Sequence, residues 1–103
     1  MAKLLVLYNE PADPEAFEKH YFEVHVPITR RFPGVKSFRV SRGKVRSPGQ
    51  PAAPYWFVAE LEFDSVEALR AALASPAGQE AAADIPKYAG AGVSILMFED
   101  AEA

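Results

Sequence analysis

The first third of the chain pairs a short apolar run with a longer amphipathic segment. Lys3 to Asn9 is almost wholly apolar, which is typical of a strand covered on both faces. Asp13 and Pro14 suit the N-cap and first turn of a helix that we expect to end at Pro33-Gly34. Pro27 falls inside this helix, where it should remove a hydrogen bond and bend the axis. The apolar stripe of the predicted helix consists of Phe17, Tyr21, Val24, Ile28 and Phe32.

Three later segments have the composition of strands. Val35 to Arg46 is predicted as the second strand. Residues 47–54 contain three prolines and a glycine and are predicted to form a loop. Tyr55 to Phe63 is the strongest strand pattern in the chain, because aromatic and β-branched residues recur along it. Val93 to Glu99 is the last predicted strand.

A helical region lies between the third and fourth strands. Asp64-Ser65-Val66-Glu67 resembles a capping box that opens a second helix. Ser75-Pro76 begins a further alanine-rich helical stretch that we expect to reach about Asp84. Pro86 and Gly90 then mark a loop. The residues expected to be buried in the second helix are Val66, Leu69 and Leu73.

The order strand, helix, strand, strand, helix, strand predicts an α+β fold of the ferredoxin-like βαββαβ type, as one domain over residues 1–103. Its four-stranded antiparallel sheet would carry the helices on one face. The opposite face would remain apolar, because the first, third and last strands have apolar residues on both sides. A homodimer packed sheet to sheet, a dimeric α/β barrel, would cover that face and enclose space for a small molecule.

Composition excludes several classes of function. A net charge of −3 and a pI near 5.3 argue against binding to nucleic acid or to an anionic membrane. Without cysteine, disulfides, thiolate catalysis and cysteine-based zinc sites are excluded. A cytoplasmic location is expected, because the chain has neither a signal-peptide pattern nor an apolar stretch long enough to span a bilayer.

Seven of the eleven basic residues lie between Arg30 and Arg46. We expect them to lie on a solvated strand and to pair with Glu60 and Glu62 on a neighbouring strand. The alternative is a local site for an acidic ligand. The seven are Arg30, Arg31, Lys36, Arg39, Arg42, Lys44 and Arg46.

The stretch VLYNEPADPEAFEKHYFEVHVPITRRFPGV is similar to the signature of the EthD-like proteins, which are named after degradation of ethyl tert-butyl ether. The most specific match is the spacing of His20-Tyr21, His25 and Pro27. The resemblance implies the dimeric α/β barrel. Relatives in that superfamily include lactone isomerases, cofactor-independent monooxygenases and dehydratases, and some distant ones bind haem, so the resemblance leaves the chemistry open.

The two histidines are the candidate catalytic residues. On an α-helical wheel His25 lies about 60° from the centre of the apolar stripe and His20 about 80° to the other side. The imidazoles should therefore be about 140° apart. His25 is a candidate general acid or base, or else a buried structural residue. His20 is a second catalytic candidate, or an interface or capping residue, and a shared metal is not expected at this spacing.

Several other polar and aromatic side chains are candidates for contact with a ligand. Asp84 either caps its helix or pairs with an imidazole, where it would fix the tautomer. The sequence has no phosphate loop, nucleophile elbow or dinucleotide fingerprint, so no cofactor is expected. The candidate substrate-binding residues are Tyr8, Asn9, Tyr21, Trp56, Asp84 and Tyr88.

These residues favour a small enzyme that binds an apolar, oxygen-bearing molecule, cyclic or aromatic. His25 would transfer a proton, while Tyr8, Asn9 and His20 would place the substrate. Isomerisation, dehydration and cofactor-independent oxygenation all need such a step, and the sequence does not choose among them. The alternatives are a non-catalytic module that binds a metabolite or serves as an accessory subunit, and a purely structural dimer with a dry interior.

Overall fold

The computed structural model describes all residues from Met1 to Ala103. The strands are β1 (Ala2–Tyr8), β2 (Ser37–Val40), β3 (Phe57–Phe63) and β4 (Val93–Glu99). The helices are α1 (Pro14–His20), α2 (Val26–Arg30), α3 (Val66–Ala74) and α4 (Pro76–Tyr88), and a π-helical turn (Tyr21–His25) joins α1 to α2. None of these helices is long and apolar enough to cross a membrane.

The strands form one antiparallel sheet in the order β2-β3-β1-β4. Burial alternates along β1 and β3, so that Leu4, Val6 and their neighbours in the register face the helices. These positions, together with α1, α3 and α4, form the hydrophobic core. The predicted α+β, ferredoxin-like βαββαβ fold, with a four-stranded antiparallel sheet and helices on one face, is therefore confirmed.

The opposite face of the sheet has a charged part and an apolar part. The Lys3 ammonium lies 2.8 Å from a Glu60 carboxylate oxygen and 3.0 Å from one of Glu62. Hydrogen bonds from the Lys3 ammonium to these two carboxylates raise the pKa of Lys3 above its usual value. Towards β4 the face becomes apolar, and the edge residues Leu96 and Phe98 are 52% and 44% exposed. We call the side of the sheet away from the helices the open face.

The expected pairing of the basic run with Glu60 and Glu62 is wrong. Lys3 of β1 takes both carboxylates, because β1 lies beside β3 and Lys3 stands directly opposite Glu62. From the basic run, Lys36 pairs instead with Asp64 at 3.4 Å, and Arg31 pairs with Glu80 at 2.9 Å. These are exposed pairs, which contribute little to stability.

Two of the predicted helix starts are confirmed by their caps. The Asp13 carboxylate accepts the N–H of Ala16 at 3.1 Å, and the Ser75 hydroxyl accepts the N–H of Gly78 at 3.1 Å. The capping box is wrong, because Ser65 and not Asp64 caps α3 by accepting the N–H of Ala68. Glu67 is then only the second residue of the helix, too early for the reciprocal bond.

Three predicted boundaries are also wrong. β2 ends at Val40, ahead of Gly43, whose φ of 73° belongs to a turn. β3 begins at Phe57 and not at Tyr55. α4 continues through Pro86 to Tyr88, because the carbonyl left free by the proline belongs to the exposed Ala82, where water can bond to it.

α3 and α4 pack closely at Gly78. A Cβ atom there would lie 2.3 Å from the carbonyl oxygen of Ala72 and 2.4 Å from that of Leu73. Gly78, which the sequence suggests is only a turn residue, is thus needed inside a helix for close packing. The backbone of α4 can then lie against the last turn of α3.

Candidate functional site

A π-helical turn positions the two histidines. The N–H of Val26 donates to the carbonyl of Tyr21, five residues earlier, and so closes a turn that is about one residue wider than an α-helical turn. Pro27 follows in the first turn of α2, where its missing N–H is tolerated. The helix is therefore not one continuous α-helix, and residues five apart lie on nearly the same face.

The wider turn also changes which residues are buried. Tyr21 and Ile28 are in the core as predicted, but Val24 is 41% exposed and His25 takes its place. In α3 the expected burial of Leu73 is likewise wrong, since it is 36% exposed and Ala72 is buried instead. One additional residue per turn is enough to move the apolar stripe from position 24 to position 25.

Both imidazoles bind the same carboxylate. His20 Nε2 lies 2.8 Å from Oδ1 of Asp84, and His25 Nδ1 lies 3.0 Å from Oδ2. The separation of about 140° expected from an α-helical wheel is therefore wrong. The sequence predicts that Asp84 either caps its helix or pairs with an imidazole. In the structure it pairs with both imidazoles. The carboxylate comes from the middle of α4 and is itself buried.

The charge states of this triad follow from burial and hydrogen bonding. Burial alone would raise the pKa of Asp84, but hydrogen bonds from His20 and His25 outweigh it and hold the pKa below its usual value. Burial lowers the pKa of His25 below 6.5; the bond to Asp84 and its charge offset this in part, and the nearby His20 adds to the lowering. At neutral pH Asp84 is ionised and His25 is neutral. Nδ1 of His25 then carries the proton, and Nε2 has a free lone pair.

His25 lines an apolar cavity of about 90 Å³ inside the protomer. Its walls are the helix-facing side of the sheet, with Leu4 and Val6, and residues of α2 and α4 such as Ile85. The expected position of His25 between the sheets of two protomers is wrong, because His25 lies on the helix side of its own sheet. The exposed residues Leu73, Ala82 and Ile95 mark where the cavity opens towards β4.

Two polar atoms of the cavity lining have no protein partner. Tyr8 is hydrogen-bonded to Tyr88, with 2.6 Å between the hydroxyl oxygens, and Thr29 donates to the carbonyl of His25 at 3.1 Å. Every fully buried side-chain nitrogen or oxygen has a partner. His25 Nε2 and Tyr21 Oη have no hydrogen-bond partner in the protein. Neither atom is therefore fully buried, although both residues are at least nine-tenths buried.

An aromatic cluster supports the triad. Tyr8 lies at its centre, with ring centroids 5.3 Å from Phe17, 5.8 Å from Tyr21 and 5.6 Å from Tyr88. Burial raises the pKa of Tyr8 to about 12 and also raises that of Tyr21 and Tyr88, so all three hydroxyls stay protonated. The imidazole of His25 packs on the ring of Tyr88, with 4.9 Å between the ring centroids. The predicted residues Tyr8, Tyr21, Asp84 and Tyr88 are thus brought together with the histidines.

Two of the predicted ligand-binding residues lie elsewhere. Asn9 is exposed, and its side-chain amide donates to the carbonyl of Ala91 at 3.1 Å, which ties the end of β1 to the start of β4. Trp56 packs edge-on against Phe17, with 5.2 Å between the ring centroids. It lines a separate surface groove together with Arg42 and Lys44. Neither residue lines the cavity. Asp84 and Tyr88 do not line it either, but they are hydrogen-bonded to the lining residues His25 and Tyr8.

Two residues that matter at the site were not among the sequence candidates. Thr29 lies four residues after His25 and donates to its carbonyl at the wide turn. Gly78 lines the cavity and permits the close approach of α4. A polar β-branched residue one turn after a histidine, next to a proline, is the signal that could have identified Thr29. No group of three or more His, Asp or Glu side chains is arranged to hold a metal ion.

Comparison with known proteins identifies the family. The sequence model of the EthD domain matches residues 9–92. An uncharacterized 11.0 kDa protein from the thcB-thcC intergenic region of Rhodococcus erythropolis is 44% identical over 101 residues, which are 97% of this chain and 95% of that protein. The chain belongs to the EthD family. The predicted resemblance to the EthD-like proteins is confirmed.

Solved structures with the same fold extend this comparison. An EthD family protein from Bacillus halodurans has a TM-score of 0.88 and 34% identity, over 98% of this chain and 99% of that one. SnoaB, a cofactor-independent oxygenase from Streptomyces nogalater, has a TM-score of 0.71 and 18% identity, over 99% and 94%. A dimeric ferredoxin-like protein from Thermobifida fusca has a TM-score of 0.70 and 15% identity, over 94% and 88%. The last two share the fold with this EthD-family chain.

Proposed function

We propose that this EthD-family protein binds a small, uncharged molecule in the cavity beside His25, and that His25 exchanges a proton with it. The ligand would be largely apolar, cyclic or aromatic, and would carry a hydroxyl or an enolisable carbonyl. The observation that carries this proposal is the pair of unpartnered polar atoms, His25 Nε2 and Tyr21 Oη, in an otherwise apolar cavity.

The lining of the cavity favours a neutral ligand. None of its 16 lining residues is Lys, Arg, Asp or Glu, and 13 are hydrophobic. A carboxylate or phosphate would lose its hydration without gaining a compensating charge, which costs several kcal/mol or more, on the order of the penalties for unpaired buried ions. An apolar ring with one oxygen avoids this cost.

The two free polar atoms match the two hydrogen-bonding roles of one hydroxyl oxygen. The ligand O–H would donate to Nε2 of His25, and the ligand oxygen would accept the O–H of Tyr21. For a ketone, Nε2 would remove a proton from the carbon next to the carbonyl, while Tyr21 stabilises the developing enolate oxygen. The imidazolium so formed would lie against the Asp84 carboxylate, 3.0 Å from Nδ1.

The size of the cavity limits how much of the ligand it can enclose. Its volume is about 90 Å³, which is smaller than the cavity of about 150 Å³ that binds benzene in another protein. A single ring would therefore fill the cavity and extend through the opening past Leu73 and Ile95, both of which are exposed and apolar. Isomerisation, dehydration and cofactor-independent oxygenation would all share the proton step at His25.

Binding is tested with four single-ring probes that differ in their polar group. Ligand-observed NMR would compare phenol, anisole, toluene and benzoate. Phenol should bind tightest, anisole and toluene more weakly because they cannot donate to Nε2, and benzoate least because of its charge. His25→Ala should remove the preference of phenol over anisole, and Trp56→Phe, outside the cavity, should keep it. Equal binding of all four probes by the native protein would refute the proposal.

Catalysis is tested separately by the exchange of α-hydrogens of cyclohexanone for deuterium in D₂O. If His25 acts as a base, the protein should accelerate exchange, and His25→Ala should reduce the rate by about 10²–10⁴. The alternative is a non-catalytic module that binds the same class of ligand. Selective phenol binding without accelerated exchange would favour that alternative, and would remove the proton-transfer part of the proposal.

We also infer that the protein forms a homodimer through the open face. Leu96 and Phe98 leave more apolar surface exposed there than single scattered residues would. The related fold from Thermobifida fusca is described as dimeric. Sedimentation at micromolar concentration should give a dimer, which Leu96→Lys together with Phe98→Lys should dissociate. A native protein that sediments as a stable monomer would contradict this inference.

A further inference from the structure

Asp84 connects a buried imidazole to an accessible one. Its Oδ2 accepts the N–H of His25, which is 6% exposed and lines the cavity. Its Oδ1 accepts the N–H of His20, whose side chain is 28% exposed and lines a groove on the outside of the protein. The proposed function uses His25 and Asp84 but assigns no role to His20.

We propose that His20 is a positioning residue that protects the base form of His25. It orients the Asp84 carboxylate, so that Oδ2 accepts the Nδ1–H of His25 and Nε2 of His25 keeps its lone pair. This inference deepens the proposed function, because a proton acceptor in the cavity is useful only while it remains neutral.

The orientation part rests on a chain of contacts. The His20 ring stacks on Tyr88 with centroids 5.3 Å apart and an interplanar angle of 22°. Tyr88 is held in turn by its hydrogen bond to Tyr8 of β1. His20 is therefore fixed on one side by a packed ring and on the other by Asp84 Oδ1, at 2.8 Å. With Oδ1 occupied, Oδ2 is directed to His25, which fixes the Nδ1–H tautomer.

Burial and the neighbouring imidazole keep His25 neutral. An imidazolium at His25 would be buried, and burial lowers the pKa of His25. The bond to Asp84 and its charge oppose this in part, and the nearby His20 adds to the lowering.

The other titratable groups around the triad leave the neutral state of His25 unchanged. The tyrosine hydroxyls of β1, the π turn and α4 stay protonated, since burial raises their pKa values. The outer groove has one acidic and one basic side chain beside His20, and their charges oppose each other. These surrounding groups are Tyr8, Tyr21, Tyr88, Asp13 and Lys87.

NMR of the free protein tests the inference directly, because the chain has only two histidines to resolve. A pH titration of the ¹⁵N-labelled imidazoles should show His25 as the Nδ1–H tautomer until it gains a proton. A native His25 that is the Nε2–H tautomer, or a mixture of the two tautomers, would overturn the inference.

Two variants separate positioning from mere packing. His20→Phe keeps a ring on Tyr88 but loses the bond and the charge, so the pH at which His25 takes up a proton should rise by on the order of half a unit or more. His20→Gln restores a donor without the charge, and the rise should be smaller. Lys19 is an exposed neighbour on α1, and Lys19→Gln should leave the pH at which His25 takes up a proton unchanged.

A His25 titration that is the same in the native protein and in both His20 variants would overturn the inference. If His20→Phe does not fold, the tautomer of His25 in the native protein and His20→Gln still decide. No ligand is present in these measurements. The NMR result therefore stands or falls independently of the phenol and cyclohexanone experiments on the proposed function.

Discussion

The two faces of the sheet use the same four strands but carry different chemistry. The helix-facing side is apolar, and a triad of two histidines and one carboxylate lies between α4 and the π turn. The open face carries Lys3 between two carboxylates and, beside them, the exposed edge residues Leu96 and Phe98. On the first face His25 and Asp84 are buried and bonded to each other, whereas the charged groups of the second face are only partly buried.

This difference separates binding from association. The sequence predicts a ligand-binding space between two sheets, because the strands have apolar residues on both of their sides. In the structure, the cavity with its free nitrogen lies inside each protomer. The exposed apolar residues of β4 lie on both faces, Leu96 and Phe98 on the open face and Ile95 and Met97 on the helix side. A dimer would then protect the open face, while each protomer keeps a complete cavity of its own.

Matched truncations of one leucine on each face test the comparison most strongly. Leu4→Ala, on the helix side, should lower the free energy of unfolding by about 2–5 kcal/mol at any protein concentration. Leu96→Ala, on the open face, should cost less than about 0.5 kcal/mol in dilute solution, with a cost that grows with concentration as association covers the edge. Urea denaturation at several concentrations measures both; equal, concentration-independent costs would contradict the assignment of the faces.

Removing the shared carboxylate should have the next largest effect. Asp84→Ala leaves the Nδ1–H of buried His25 without an acceptor, so we expect a loss of about 1–3 kcal/mol in the free energy of unfolding. The ¹⁵N signals of His25 should also change to a mixture of tautomers. Asp64→Ala, an exposed acid paired only with Lys36, is the matched control and should cost less than about 0.5 kcal/mol. A fixed Nδ1–H tautomer in Asp84→Ala would show that another group orients the ring.

The stability of the helix side should depend on pH in a defined direction. Because the pKa of His25 is lowered on folding, the unfolded chain binds more protons, and stability should fall as the pH drops below 6.5 through the folded value. The depressed pKa of Asp84 adds a further loss below 3.8. The His25 contribution is at most about 1.4 kcal/mol per pH unit. Thermal unfolding from pH 7 to 4.5 measures it, and His25→Phe should flatten the upper part of the curve.

The smallest expected effect concerns Asn9, which lies at the end of β1 but outside the cavity. Asn9→Ala loses one exposed hydrogen bond to Ala91 and should cost about 0.5 kcal/mol. Its affinity for phenol should equal that of the native protein. A clear loss of phenol binding would place Asn9 in the ligand site and would revise the position of the cavity.

Much of the fold could be predicted from local patterns. Alternation along residues 57–63, the caps Asp13 and Ser75, and the apolar run of β1 each act through nearby residues, so the sequence reveals them. The pairing expected for the basic run is wrong, because β3 has a strand on each side, and Glu60 and Glu62 bond to Lys3 of β1 and not to β2. The sequence does not reveal which neighbouring strand supplies the partner. The EthD resemblance, based on His20, His25 and Pro27, was sufficient to identify the family.

The candidate site was less predictable, because its geometry depends on departures from regular structure. A wheel of 100° per residue cannot represent the wide turn at residues 21–25. The continuation of α4 past Pro86 brings Tyr88 to Tyr8, and a proline alone predicts the opposite. The approach at Gly78 depends on the backbone of α3, which no local pattern reveals.

The wide turn makes the length of this segment as important as its composition. Deleting the exposed Val24 would remove no core or triad side chain, yet it would let the chain close regular α-helical turns. The two imidazoles would then be four residues apart, about 40° on a regular helical wheel, and would still face the carboxylate that they now share. The opposite change, a regular helix that keeps all five residues of the turn, would separate them by about 140°. The extra residue and the wide turn therefore compensate each other, and neither can be altered alone without displacing a histidine.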